Sequence, residues 1–207
     1  ALKALQTSLS KEKANASDTQ GILQDIRDAE LAKVIKAINA IPLNVTAEDK
    51  AVVEAARKAY DAFVAEWTDY TIPYDAASKV GAKYQELALA EAALSVLDKD
   101  AKIKAVESFK IKTTTKRYTG SKMRVNWTVA SGDESAIDGY RIYYSTKKSN
   151  SGYKYLAKTT KKYINHTSIK KNVKKGTRVY YRVRAYVEID GQRYFSDYST
   201  VGNRIWK

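Results

Sequence analysis

Cysteine is absent from this 207-residue chain, and histidine and methionine occur once each, at His166 and Met123. Without a thiol, and with a single imidazole, neither a cysteine nucleophile nor a zinc site built from Cys and His can form. The closest two glycines, Gly132 and Gly139, lie seven positions apart. That spacing excludes a P-loop and a dinucleotide fingerprint, and no calcium-loop pattern is present. No metal and no cofactor is therefore expected. No apolar run approaches the roughly 20 residues that a membrane-spanning helix needs, so no membrane insertion is expected of this segment. No signal-peptide pattern is visible either. With Ala1 first and its one Met at position 123, the sequence reads as part of a longer protein, any export signal lying upstream.

What is present is distributed unevenly. The net charge of +14 hides two halves: residues 1–106 hold 14 Lys+Arg against 16 Asp+Glu, whereas residues 107–207 hold 23 against 7. The first half is rich in Ala, Leu, Lys and Glu, which favour helices. The second holds 12 of the 16 Tyr residues together with Val, Ile and Thr, which favour strands. Charge, composition and periodicity all change between Asp98 and Lys110. Two domains are expected, 1–100 and 107–207, with residues 1–20 read as the tail of a preceding module. The pattern leaves open whether the charged stretch between them is helix or linker.

In the first half the apolar residues recur at helical spacing. Leu31, Val34, Ile35, Ile38 and Ile41 make one stripe, which Pro42 closes. Thr46 followed by Asp49 is a helix start, opening a stripe through Val52, Val53, Ala56, Ala59, Tyr60, Phe63, Val64 and Trp67. The segment "YTIPY" at Tyr70–Tyr74 interrupts it. A third stripe runs through Val80, Tyr84, Leu87, Ala90, Leu94 and Leu97. Leu2, Leu5 and Leu9 suggest one more helical piece. The economical solution is an all-α three-helix bundle.

The second half alternates with period two. Met123, Val125, Trp127 and Val129 face one way; Tyr140, Ile142 and Tyr144 oppose Arg141 and Tyr143; and Val179, Tyr181, Val183 and Ala185 oppose Arg178, Tyr180, Arg182, Arg184 and Tyr186. Asp190-Gly191 is a hairpin turn signal. Seven short strands at this spacing argue for an all-β sandwich.

The strings "DKAVVEAARKAYDAF" (Asp49–Phe63) and "KYQELALAEAALSVL" (Lys83–Leu97) resemble short helical repeats of multidomain surface proteins of Gram-positive bacteria, over about residues 28–97. Trp127, "GYRIYY", "VKKGTRVYYRVRAY" and "YFSDYS" resemble the fibronectin type III family over residues 108–207, closest to its Lys- and Tyr-rich bacterial versions. The resemblance implies a multidomain chain, a helical bundle followed by a fibronectin type III-like (Ig-like) sandwich. Val179 stands where that family places its corner Tyr, which implies that the usual hydroxyl-to-backbone tether is missing.

Catalytic patterns are weak, and the chain is not expected to be an enzyme. His166, in "YINHTS", lacks a nucleophile and an orienting acid in any motif and reads as an ordinary strand residue. The carboxylates of the first half read as a solvated face. Four Asn-x-Ser/Thr patterns, at Asn15, Asn44, Asn126 and Asn165, read as chance. The candidate binding residues are Arg141, Tyr143, Arg178, Tyr180, Arg182, Arg184 and Tyr186, which should share one sheet face. Interleaved guanidinium groups and phenol rings can clamp anions and stack on sugars or bases. The plainer reading is a solvated face whose Arg and Tyr stack on each other. Lys-rich loops add attraction for polyanions without sequence-specific nucleic-acid recognition. The functions these features suggest are a structural spacer and adhesion module of an extracellular or cell-surface protein, or an ancillary region of a secreted carbohydrate-active or peptidase enzyme. A polyanion- or glycan-binding module is a third. The partners in view are an extracellular glycan, an anionic cell-wall polymer or a host protein.

Overall fold

A computed structural model of the chain describes residues 16–67, 74–118, 122–147 and 150–207. The expected helical piece at Leu2, Leu5 and Leu9, and most of the break at "YTIPY", lie outside those residues. The chain divides into two compact units, Ala1–Asp98 and Lys99–Lys207. Among the described residues, no helix is long and apolar enough to cross a membrane.

The first unit is helical: α1 (Ala16–Asn39), a short 3-10 turn (Ala47–Asp49), α2 (Lys50–Trp67) and α3 (Tyr74–Glu107). Its core takes Leu31, Val34 and Ile38 from α1, Val53, Ala56, Phe63 and Trp67 from α2, and Leu87 and Ala90 from α3. The stripes read from the sequence thus meet in one core. At their margins Val64, Tyr84 and Leu97 are exposed, because a helix buries only the arc that faces its neighbours. The start of α2 is fixed by Asp49, whose carboxylate accepts from the backbone N–H and the hydroxyl of Thr46, both at 2.8 Å. These two bonds hold the Asp49 carboxyl below its ordinary range. Arg57 of α2 clasps Glu91 of α3 with both arms of its guanidinium, at 2.6 Å each, and lies against the paired rings of Tyr60 and Tyr84, whose centroids are 5.2 Å apart. A two-point clasp of this kind fixes the register of two helices.

The stretch from Asp98 is helix and not an irregular linker: α3 continues to Glu107, and the division between the units falls within it. The second unit is an antiparallel sandwich. One sheet orders β1 (Lys110–Tyr118), β2 (Lys122–Ser131) and β5 (Tyr163–His166) as β1-β2-β5. The other orders β4 (Lys154–Thr159), β3 (Gly139–Ser145) and β6 (Arg178–Ile189) as β4-β3-β6, with β7 (Gln192–Phe195) and β8 (Gly202–Ile205) both paired to the far edge of β6. One helical turn, α4 (Ile169–Asn172), joins β5 to β6. This is the arrangement that the fibronectin type III resemblance implies, with eight strands among the described residues in place of seven.

Between the sheets lie Val125, Trp127, Tyr140, Ile142, Val179, Tyr181, Val183 and Ala185, as the period-two pattern requires. Val106, Phe109 and Trp206 close the ends of this core. Gly132, at φ 111°, is needed because any Cβ there would collide with the Phe109 ring. Asp190 (φ 52°) and Gly191 (φ 75°) form the expected tight hairpin turn. Val179 is fully buried and offers no hydroxyl, so the missing tether is real. Residues 174–177 are held instead by backbone bonds, Gly176 N–H to the Trp206 carbonyl (2.6 Å) and Trp206 N–H to the Thr177 carbonyl (2.9 Å).

Trp127 is 2% exposed and meets the Tyr140 ring edge-on at 5.3 Å. Trp127→Ala should therefore cost about 3–5 kcal/mol of stability, read as a fall in the denaturation midpoint. Its exposed neighbour Thr128→Ala should stay within about 0.5 kcal/mol. Similar values for the two would mean that the phase of β2 is misassigned.

Candidate functional site

His166, the one imidazole, lies in the sandwich core at 1% exposure. Its Nδ1 shares a 2.8 Å hydrogen bond with the Tyr181 hydroxyl, and its ring rests on Tyr144 at 4.7 Å. Its Nε2 is buried with no hydrogen-bond partner. Burial pushes the imidazole down to about 4 and raises the Tyr181 phenol well above its ordinary range. A neutral imidazole walled in by aromatic rings, joining a strand of one sheet to a strand of the other, is a core polar link. It reaches no solvent from which a substrate could come. Among the described residues, no group of three or more His, Asp or Glu side chains is placed to hold a metal ion.

The outward face of the larger sheet is organised differently. β3 pairs with β6 so that Arg141 lies opposite Arg184 and Tyr143 opposite Arg182. Two like charges directly across a strand pair repel each other. The face resolves this by inserting aromatic rings. Arg182 lies 3.9 Å from the Tyr153 centroid and 3.5 Å from that of Tyr198. Arg184 lies 5.0 Å from Tyr198 and 3.6 Å from Phe195. Arg141 lies 5.8 Å from Phe195 and 4.5 Å from Tyr155. The result is a ladder in which rings and guanidinium groups alternate, from Tyr153 at one end to Tyr155 at the other. Tyr143 braces its middle: its hydroxyl accepts from Nη2 (2.8 Å) and Nε (3.2 Å) of Arg184, and its ring meets Tyr155 and Tyr198 edge-on.

Of the seven residues that the sequence placed on this face, Arg141, Tyr143, Arg182 and Arg184 come together. Arg178 sits at the end of β6 and donates to the Asn203 side chain at 2.7 Å, while Tyr180 lies next along the face from Arg182, with its phenol close enough to that of Tyr153 to act on it. Tyr186 is buried, contrary to its expected exposure. It pairs with Gly139, whose missing side chain lets the Tyr186 ring settle over the backbone.

The residues that the sequence reading left out are Tyr153, Tyr155, Phe195 and Tyr198. The last two depend on an irregularity. Ser196 and Ser199 each grip β6 twice, the backbone N–H donating to a β6 carbonyl and the hydroxyl accepting from a β6 N–H. The partners are Ala185 for Ser196 and Val183 for Ser199. Three residues of this segment thus span two of β6, which is a bulge. In a regular strand Phe195 and Tyr198 would point to opposite faces; the extra residue sends both rings outward. The available signal was the doubled aromatic-Ser step in "YFSDYS".

No family model and no curated protein matches this chain. Solved structures do show likenesses. A multidomain segment of titin is 14% identical over 47% of this chain and 32% of its own, with a TM-score of 0.37. A fibronectin type III domain derived from a human protein is 17% identical over 51% of this chain and 80% of its own, at 0.39. The fibronectin type III domain of another human protein is 14% identical over 45% and 83%, at 0.31. The assignment of the sandwich rests on the strand pairing itself.

Two predictions follow from this geometry. Tyr198 and Tyr163 are equally exposed, at 39% and 38%, and each stacks on arginine, but only Tyr198 separates two guanidinium groups. Tyr198→Ala should cost about 1–3 kcal/mol, and Tyr163→Ala about 1 or less; equal losses in thermal melts would mean that the ladder contributes nothing as a unit. The second concerns acid. The His166 folded value lies below the ordinary 6.5, so the unfolded chain binds the extra proton. The contribution of this group is complete above about pH 6.5 and is lost as pH falls toward 4, with a slope of at most about 1.4 kcal/mol per pH unit. Melting temperatures of the parent and of His166→Leu should converge as pH is lowered through that window. A constant gap between them would refute the assignment.

Proposed function

We propose that this chain is a non-catalytic segment of an exported bacterial protein, of the Gram-positive secreted or cell-surface type, that spaces neighbouring domains and presents an interaction surface. The observation that carries this reading is the ladder. Its rings and guanidinium groups fix one another, so the face has a set shape. Arg141, Arg182 and Arg184 pair with no carboxylate among the described residues, so it also remains cationic. A preformed charged face on a small sandwich suits contact with another molecule better than it suits chemistry. The lack of any thiol fits export, where unpaired cysteines are a liability.

Two measurements test this. An antibody raised against the chain should label intact cells of its source as strongly as permeabilised ones; labelling that requires permeabilisation would overturn the surface assignment. Residues 1–100 and 105–207, expressed separately, should each unfold in a cooperative transition, as expected of modules that can be shuffled and strung together. If neither does, the modular reading fails.

A further inference from the structure

We infer that the arginine–aromatic ladder is the binding site for a linear acidic polysaccharide, held through the in-plane N–H groups of Arg141 and Arg182. The inference deepens the interaction role proposed above and rests on it.

The three guanidinium groups differ in what they have left to offer a ligand. Arg184 spends Nε and Nη2 on the Tyr143 hydroxyl. Arg141 and Arg182 make no hydrogen bond and no ion pair among the described residues, and Nε of Arg182 is a buried donor with no partner. Two rings contact each of them, at 3.9 and 3.5 Å for Arg182 and at 4.5 and 5.8 Å for Arg141, so aromatic rings cover much of their faces. The N–H groups at the edge of the guanidinium plane remain to bond, for Arg182 the terminal ones, since its Nε is covered. Those groups form a fork matched to a carboxylate or sulfate.

The same stacking decides against other ligands. Single-stranded nucleic acid binds largely through bases lying on free aromatic faces, and neutral sugars likewise need a ring face to rest on. Here the faces of Tyr198 and Phe195, in the middle of the ladder, are already held between arginines. Tyr155 at one end, 47% exposed, is a single ring and not a row on which successive bases or sugars could stack. What the ladder presents is positive charge recurring along a line, separated by rings, with no acidic side chain stacked into it. A polymer carrying one acidic group per repeat, on a backbone that need not stack, complements that pattern. The Lys-rich loops supply general attraction but no geometry.

The test uses the whole 207-residue chain and four probes: dextran sulfate, carboxymethyl dextran, neutral dextran and oligothymidine. The variant pair Arg141→Gln with Arg182→Gln keeps a planar amide to stack in the ladder while removing two charges. Lys174→Gln with Lys175→Gln removes two charges from an exposed loop. At fixed ionic strength the first pair should weaken dextran sulfate and carboxymethyl dextran by about tenfold or more, and the second by less than about threefold. Neutral dextran should not bind, and oligothymidine should bind more weakly than dextran sulfate, losing equally in both pairs. Equal losses of dextran sulfate in the two pairs, or DNA binding as tight as dextran sulfate, would overturn the inference without touching the surface-labelling result. Should the Gln pair lower the melting temperature, Arg141→Lys with Arg182→Lys decides. It retains charge but lacks the planar fork, so a loss of about threefold or more supports the site and an unchanged affinity refutes it.

Discussion

Strand β6 runs for twelve residues, and every backbone N–H and carbonyl along both its edges needs a partner. One edge is served by β3, after which the Asp138 carboxylate accepts from the Glu188 N–H at 2.6 Å. The other edge is served in three pieces: β8 over 178–181, the two serines at 183 and 185, and β7 over 186–189. Most of the second unit is arranged around this requirement. The inward side chains of β6 make the centre of the core, and its outward ones supply two of the ladder's three arginines, Arg182 and Arg184. The serine segment that completes its edge also delivers Phe195 and Tyr198. One strand therefore ties hydrogen bonding, packing and surface chemistry together, and a change in its phase would disrupt all three.

The core tolerates a polar pair because the two members satisfy each other in part. His166 and Tyr181 come from different sheets, so their hydrogen bond also fixes how the sheets face one another. A leucine or valine pair would bury as well but would not specify that alignment. The cost is the unpartnered Nε2, a buried polar atom of the kind that folded proteins keep few of. Its consequence is that acid, which places a proton on an imidazole at 1% exposure, acts on the centre of the sandwich and not on its rim.

On the surface, the decisive comparison is between repulsion and stacking. Arg141 and Arg184 face each other across the β3–β6 pair with no carboxylate to separate them. Each exposed cation–π contact stabilises by about 0.5–1 kcal/mol, and more where water is excluded. Several such contacts in series can hold three guanidinium groups that would otherwise disperse. The helical unit meets the same problem more conventionally: Arg57, lying against the paired rings of Tyr60 and Tyr84, also holds Glu91, and its charge is thereby neutralised. The sandwich leaves its ladder without that neutralisation, and this difference makes the face, and not the helical clasp, the place to look for a ligand.

Much of the fold was legible in local pattern. Helical spacing of apolar residues located α1, α2 and α3. Strict alternation located β2, β3 and β6 and assigned Trp127 to the core, because inward and outward positions are set by the period of the backbone itself. Four ladder residues could be named for the same reason, being in phase on adjacent strands. Tertiary structure alone decided the rest. Tyr186 is in phase with them but becomes buried because Gly139 happens to lie opposite. His166 sits in a strand of unremarkable sequence, and only the facing Tyr181 makes it a core link. Tyr153, Tyr155, Phe195 and Tyr198 reach the arginines from segments distant in the chain, two of them through a bulge that reverses the face a period-two reading assigns. Alternation along one strand is a local property of the backbone; which ring comes to rest between which two charges depends on how separate strands are paired.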